Sequence, residues 1–252
     1  MSNENLSQNI KLVIAYLGSS FFGWQKTKVG PTIEETLENT LQTILQHEVK
    51  LQAASRTDAG VHAEGQVVNF TTPKSLCLKS LQQRLNFMLP RRISIISIEW
   101  APDDFHPTLS CLKKEYWYHL CYGFAQIPFL RKTSWHFPSS LDLAPMRKAS
   151  EHLTGTHDFS AFCNERPLWD RSPVCKIEKI EIFPLPMKQL CISITGDHFL
   201  YKMARNIAGT LAYVGCGKLT ADQIPSILAS KDRTQAGITA PAHGLILKRV
   251  FY

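Results

Sequence analysis

The apolar residues of this chain fall into short runs of two different periods, and the order of those runs predicts its architecture. Residues 10–17 form a Val- and Ile-rich run that predicts a strand, and a Gly- and Ser-containing loop follows over 18–25. Thr32 and Glu35 stand at capping-box spacing. Ile33, Leu37, Leu41, Ile44 and Leu45 then recur at helical intervals, so a helix is expected to about residue 47. Two β-prone runs, 49–54 and 66–70, flank a polar connection and read as a hairpin. Ser75 is the expected cap of a second helix with Leu78, Leu81, Leu85 and Met88 on one face and Pro90 at its end. Residues 93–100 are the next strand. The order β-α-β-β-α-β is that of a ferredoxin-like unit.

The second half repeats that order without sequence self-similarity. Residues 115–122 predict a strand with aromatic side chains on both faces, and Asp142 caps a short helix carrying Met146, Ala149 and Leu153. Residues 154–174 read as a long loop with Pro167 and Pro173. A hairpin of 175–183 and 189–195 turns around Pro184 and Pro186. Residues 201–214 predict an apolar helix, 221–229 a short extra helix and 244–251 a closing strand. The expected fold is α+β, two ferredoxin-like halves whose antiparallel sheets, joined edge to edge, would leave a central cleft. The boundary is expected in the polar stretch 103–107, giving an N-terminal domain over 1–105 and a C-terminal domain over 106–252.

Composition narrows the functional classes. The chain has 252 residues, 44% of them hydrophobic and 19% charged, which is globular rather than disordered. No apolar run approaches a membrane span, and the polar first nine residues carry no secretory h-region, so a cytoplasmic protein is expected. Seven scattered cysteines without Cys-x-x-Cys spacing read as free thiols in a reducing compartment, most of them small hydrophobes, with no zinc site. The net charge is +7. All of the excess lies in residues 106–252, where 18 Lys and Arg face 11 Asp and Glu, against 10 and 10 in residues 1–105. A basic half fits a polyanion such as nucleic acid, and equally fits plain solubility.

The polar connection Ala54-Ser55-Arg56-Thr57-Asp58-Ala59-Gly60-Val61-His62-Ala63 is longer than a hairpin turn needs, and such loops often carry function. Its acid, Asp58, also suits an Asx-type turn. Gly215-Cys216-Gly217-Lys218 lacks the spacing of a phosphate loop, and the Asp103-Asp104 pair reads as solvated.

Residues 56–63, Arg-Thr-Asp-Ala-Gly-Val-His-Ala, resemble the catalytic loop of the bacterial tRNA pseudouridine synthase A family. Further segments are similar to the same family in the same order: Tyr16-Leu17-Gly18 with Phe22-Gly23-Trp24-Gln25, Phe105-His106-Pro107, Lys114-Glu115-Tyr116-Trp117-Tyr118, residues 155–162, residues 199–209, and Ala240-Pro241-Ala242-His243-Gly244-Leu245. Leu17 replaces a usual Asp, Thr108 stands where Arg is common, and Lys202 where His is frequent.

The resemblance implies isomerisation of uridines 38, 39 and 40 of the tRNA anticodon stem-loop to pseudouridine by a homodimer, without cofactor or metal. That reaction breaks C1′–N1, turns the uracil and rejoins it through C5. It needs a carboxylate near C1′, either as a covalent nucleophile or as an aid to a glycal intermediate. A carboxylate removed from water stays ionised only beside a cation. By resemblance Asp58 is that acid and Arg205 its partner. Tyr116 would stack on the uracil and assist proton removal, and Leu245 would wall the pocket. Arg56 would fill the space vacated by the flipped base or hold a phosphate. Lys113, Lys114, Arg131, Lys132, Lys202 and Arg205 are the candidate RNA-contacting cations. Each also has a bland reading: a core aromatic for Tyr116, plain core for Leu245, a helix surface charge for Arg205. A synthase of the same fold acting on another RNA, or a silent RNA-binding protein on this scaffold, would share most of these features.

Overall fold

The structure, a computed structural model, describes residues 7–164 and 172–252. The chain divides into two compact units. The first runs to Leu112 and regains the C-terminal residues Leu247–Tyr252; the second is Lys113–Ile246. The chain leaves the first unit after Leu112 rather than within 103–107, and its last residues return to the first unit instead of staying with the second.

In the first unit, β1 (Gln8–Tyr16) leads to α1 (Ile33–Leu45), β2 (Gln52–Ala53), β3 (His62–Thr72), α2 (Leu78–Met88) and β4 (Ile93–Trp100). The strands lie β4-β1-β3, with β2 antiparallel to β3, which is the ferredoxin-like order. Alternation buries Ile10, Leu12 and Ile14 of β1 together with Val68 and Phe70 of β3. Leu37, Leu41 and Leu45 of α1 and Leu81 and Leu85 of α2 are buried with them. Thr32 caps α1 by accepting the Glu35 N–H (3.3 Å).

Two local expectations need correction. The strand before the hairpin shrinks to Gln52–Ala53, because Val49 and Leu51 are buried outside any ladder and the Leu51 N–H donates to Glu38 Oε1 (2.8 Å) instead. The residue capping α2 is Cys77, without a side-chain bond, and not Ser75; Leu78 is only half-buried and Met88 exposed.

In the second unit come β5 (Lys113–Tyr122), β6 (Trp135–Phe137), α3 (Leu143–Leu153), β7 (Gly155–Asp158), β8 (Val174–Leu185), β9 (Gln189–Gly196), α4 (Met203–Gly215), α5 (Ile224–Ser230) and β10 (Leu245–Phe251), whose greater part returns to the first unit beside β3. The order within this unit is β5-β9-β8-β7, antiparallel throughout, with β6 parallel to β5. Asp142 caps α3 by accepting the Ala144 N–H (2.9 Å), and α3 packs against α4 and β8.

The expected loop over 154–174 contains β7 and a short helical turn, Ser160–Phe162; its remaining stretch, 165–171 with Pro167, lies outside the described residues. Helix α4 begins at Met203 and not at residue 201, because Lys202 takes a left-handed conformation (φ 60°). Gly215-Cys216-Gly217-Lys218 is the end of α4: the Gly217 and Lys218 N–H groups donate to the Val214 (3.1 Å) and Tyr213 (2.9 Å) carbonyls. No helix among the described residues is long and apolar enough to cross a membrane.

Candidate active site

In the first unit the loop from Ala54 to Val61 is folded from both ends. The Ala54 N–H donates to the Val67 carbonyl (2.9 Å). Gln66, fully buried, brackets Ser55, accepting its N–H (3.3 Å) and donating to its carbonyl (2.5 Å). Asp58-Ala59-Gly60-Val61 is a tight turn closed by the Val61 N–H on the Asp58 carbonyl (3.1 Å), with Gly60 at φ 86°. That φ at the third turn position asks for glycine.

The N-terminal signature residues brace this turn. Tyr16 Oη and Thr57 Oγ1 share a hydrogen bond (2.7 Å), the Trp24 N–H donates to the Thr57 carbonyl (3.0 Å), and the Gly18 N–H donates to His62 Nδ1 (3.0 Å). A Cβ at Gly18 would fall 1.9 Å from the Val61 carbonyl oxygen, so only glycine lets the two segments touch. Thr57 and His62 are buried, Asp58 is half-buried and Arg56 is exposed. The frame is rigid where the backbone turns and open where Arg56 and Ala59 emerge.

In the second unit, Tyr116 and Tyr118 of β5 face the same way, opposite Ile194 and Ile192 of β9, as strand alternation predicts. The Tyr116 ring meets Phe199 edge-on at 4.9 Å and is 6% exposed. Tyr118 is wholly buried and donates to the Pro241 carbonyl (2.9 Å); burial pushes its hydroxyl pKa up, partly opposed by the Arg205 charge. Trp117 turns to the other face, donating to Glu115 Oε1 (2.6 Å).

Arg205 lies in the first turn of α4, half-buried, and donates from Nε to the Ala240 carbonyl (2.8 Å). The Ala240 N–H returns a bond to the Arg205 carbonyl (3.2 Å). The segment over 237–240 reaches α4 because Gly209 has no side chain: a Cβ there would sit 1.7 Å from the Ile238 carbonyl oxygen. Beneath it Asn206, fully buried, donates to the Phe162 carbonyl (2.6 Å) and Asn164 Oδ1 (2.8 Å), and accepts from Arg233 (2.8 Å) and Thr239 (2.7 Å). Leu245 is buried at the start of β10. Burial holds the His243 imidazole below its ordinary 6.5, against a hydrogen bond with the Ser134 backbone and with help from Arg205.

The remaining candidates are scattered over the second unit. Lys113 is paired with Glu178 (2.7 Å), Lys114 is half-buried on β5, and Lys202 lies over the Tyr201 ring at 4.6 Å. Arg131 and Lys132 are exposed. Sequence reading missed the bracing of the Asp58 loop by Tyr16, Gly18 and Gln66, and the Asn206 network under Arg205. The polar type of Gln66 and Asn206 inside otherwise apolar runs was their one visible signal.

One other cluster mimics a catalytic triad. Cys175 Sγ lies 3.3 Å from His198 Nε2, whose Nδ1 is 2.9 Å from Asp197. Burial, aided by the Asp197 charge, pushes the Cys175 thiol up to about 12, so it is no ready nucleophile. No group of three or more potential metal ligands occurs among the described residues.

The sequence model of a family described as tRNA pseudouridine synthase matches residues 12–108 and 149–252. The chain belongs to that family. Its members are isomerases. Among similar proteins, "tRNA pseudouridine synthase A 2" of Protochlamydia amoebophila (strain UWE25) is 54% identical over 254 residues, covering 100% of this chain and 97% of the relative. "tRNA pseudouridine synthase A" of Thermoanaerobacter sp. (strain X514) is 40% identical over 253 residues, covering 97% and 100%. The protein of that name from Thermodesulfovibrio yellowstonii is 37% identical over 257 residues, covering 97% and 99%. The first block of the family match includes the Asp58 loop and the second includes α4 with Leu245, while β5 with Tyr116 lies between the two.

Proposed function

We propose that this family member converts uridines 38, 39 and 40 of the tRNA anticodon stem-loop to pseudouridine, with Asp58 as the carboxylate at C1′. What carries the reading is the Asp58 turn: an acid on a backbone fixed at Thr57, Gly60 and Val61, beside an exposed Arg56. It sits in a chain whose full-length relatives bear the name tRNA pseudouridine synthase A.

In this reading the target uridine leaves its stack, and contacts to pocket and backbone offset the cost of flipping. Arg56 takes the vacated space or the adjoining phosphate. The C1′–N1 bond breaks with its electrons leaving on the uracil, a tolerable anion, so no cofactor is called for. Asp58 supports C1′ either by adding to it covalently, that bond breaking again when C5 attacks, or by taking the C2′ proton toward a glycal and returning it to C2′ as C5 bonds to C1′. The uracil turns, C5 bonds to C1′, and the C5 proton is lost while N1 gains one, with the Tyr116 hydroxyl assisting that transfer. Arg205 keeps the Asp58 carboxylate ionised, Leu245 closes the pocket with an apolar wall, and Lys114 and Lys202 hold phosphates.

The acid comes from the first unit and the basic contacts from the second. The working form is a cytoplasmic homodimer. Unmodified tRNA tritiated at uracil C5 tests the reaction. The protein is expected to release tritium, with pseudouridine mapping to 38, 39 and 40, and Asp58→Asn to release none. Release by the Asn variant at the parent rate, or mapping elsewhere, sinks the assignment.

A further inference from the structure

The first unit balances its charges as a whole but not locally. Residues 65–98 hold five Lys and Arg and no Asp or Glu. The acids on either side of this stretch are already paired, Glu64 with Lys248 and Glu99 with Lys11 (2.8 Å). On the adjoining helix α1, Glu38 pairs with Lys26, and Glu34 Oε2 accepts the Lys26 backbone N–H (2.9 Å). Three of the five cations, Arg84, Arg91 and Arg92, stand on the C-terminal half of α2 and the turn after it, all exposed. Among the described residues none of these three side chains makes a hydrogen bond, an ion pair or a ring contact. The end of α2 is closed without them, by the Leu89 N–H on the Leu85 carbonyl (2.8 Å).

Phe87 and Met88 stand among these cations, 91% and 45% exposed. Arg84, Phe87 and Met88 are three and four residues apart and share one face of α2, while Leu81 and Leu85 are buried on the other. The helix is clamped to β4: Asn86 donates to the Ile95 carbonyl (3.0 Å) and accepts the Ile95 N–H (2.7 Å). Arg91 and Arg92 are the central residues of a turn closed by the Ile93 N–H on the Pro90 carbonyl (2.9 Å). That turn adjoins the support of the Asp58 loop. The Arg92 carbonyl accepts the Leu17 N–H (3.0 Å), and the next residue, Gly18, is the one pressed against Val61. Tyr16 pairs with Ala63 near the start of β3 and with Ile93 at the start of β4. The Asp58 loop and the Arg91–Arg92 turn therefore leave the same end of the sheet.

We propose that Arg84, Arg91 and Arg92 hold phosphates of the RNA strand flanking the target uridine, with Phe87 stacked on a nucleotide of that strand. The inference rests on the reading of tRNA as substrate and of Asp58 as the acid, and it adds a binding surface in the unit that carries the acid. Three guanidinium groups with no partner to give up suit phosphate oxygens, which they bind as planar forks. The same three charges would repel a second copy of this face. Their place beside the Asp58 loop favours the RNA that must reach Asp58 over an acidic protein. An exposed ring among cations is the pairing that binds nucleotides without regard to sequence.

The test uses the full chain carrying Arg84→Gln, Arg91→Gln and Arg92→Gln together. Its Kd for unmodified tRNA at physiological salt is expected to rise at least tenfold, with the loss in Kd and KM rather than in kcat. The slope of log K against log salt should flatten by about two, at roughly 0.7–0.9 per phosphate contact. The corresponding triple Lys variant keeps the charges. It should bind within a few-fold of the parent with the parent's slope, which also shows that changes here leave the fold intact. Phe87→Leu should raise Kd a few-fold and leave the slope alone. Ethylation of phosphates beside the modified uridine should interfere with binding by the parent and not by the glutamine variant.

An unchanged Kd and slope in the glutamine variant overturns the proposal. So does the parent's ethylation pattern in that variant, which would put the cations elsewhere on the RNA. A shift of self-association with tRNA affinity intact overturns it too, by making the surface a contact between copies. An unchanged Kd in Phe87→Leu removes the ring from the contact. If the parent binds tRNA but forms no pseudouridine, the proposed function fails while the Kd comparison still decides this surface.

Discussion

Arg205 is fixed by a bond to the Ala240 carbonyl on one side and by apolar neighbours on α4 on the other. Replacing it by Met keeps the stem and removes the charge. The lost hydrogen bond costs about 1 kcal/mol, so the variant should melt within a few degrees of the parent. Turnover is expected to fall at least a hundredfold, and Arg205→Lys should not restore it, because an ammonium lacks the planar fork that orients a carboxylate. The imidazole of His243, held low first by burial and then by Arg205, should move up toward its ordinary value without regaining it, which NMR titration reads directly. Parental turnover in Arg205→Met would leave the residue a structural charge. For Tyr116→Phe, the ring can keep its edge-on contact with Phe199, so stability and tRNA affinity should hold. Turnover should drop at least tenfold if the hydroxyl assists the C5 proton; an unchanged rate leaves only the ring with a role.

Two elements fix Asp58 and Arg205, the residues proposed for the reaction, by close backbone approach rather than by side-chain packing. The Asp58 turn is pressed against Gly18, and the segment carrying Ala240 is pressed against Gly209. Gly209→Ala should therefore disturb a site it does not touch. The added methyl would need the Ile238 carbonyl to retreat, and with it the Ala240 carbonyl that holds Arg205 and the Gly237 N–H on Thr210 Oγ1 (2.9 Å). Overpacking of this kind costs about 1–3 kcal/mol. We expect a melting point several degrees lower and turnover reduced more than tRNA affinity. Equal losses in both would mean the segment serves stability alone.

For the whole molecule, the groups that burial perturbs bound a plateau of stability. The folded His243 resists protonation, so below about pH 6.5 the unfolded chain binds more protons and stability falls with pH. Asp158 adds to the acid side. Burial opposes its ionisation, but hydrogen bonds from Lys231 and Ser160 prevail and hold it below 3.8. Its contribution is present above that value and is lost as pH drops through the lower folded one. On the alkaline side Cys175, with a thiol raised from 9.0 to about 12, stays protonated while the unfolded thiol ionises, so stability declines above about pH 9. Urea unfolding across this range should show the plateau, and His243→Gln should remove the first acid decline. A midpoint that does not move between pH 7.5 and 5.5 would contradict the burial of His243.

What the sequence determined by itself was local. The period of Ile10, Leu12 and Ile14, the cap at Thr32, the Asp142 cap and the facing of Tyr116 with Tyr118 are all written within a few residues, where propensity and spacing act. The polar Asp58 connection was visible for the same reason: its composition breaks two apolar runs. What only tertiary structure decided depends on partners far along the chain. Trp135–Phe137 is too short to announce a strand and becomes one beside Leu120–Tyr122. Gly155–Asp158 reads as loop until Val174–Ile177 supplies its ladder. Val49–Leu51 leave the hairpin because Glu38, on a helix, offers the Leu51 N–H a buried acceptor. Lys113 is paired because register brings Glu178 to it. Gln66 under the Asp58 loop and Asn206 under Arg205 belong with these. A buried amide is worth its desolvation only where distant backbone groups meet it, and no local window contains them.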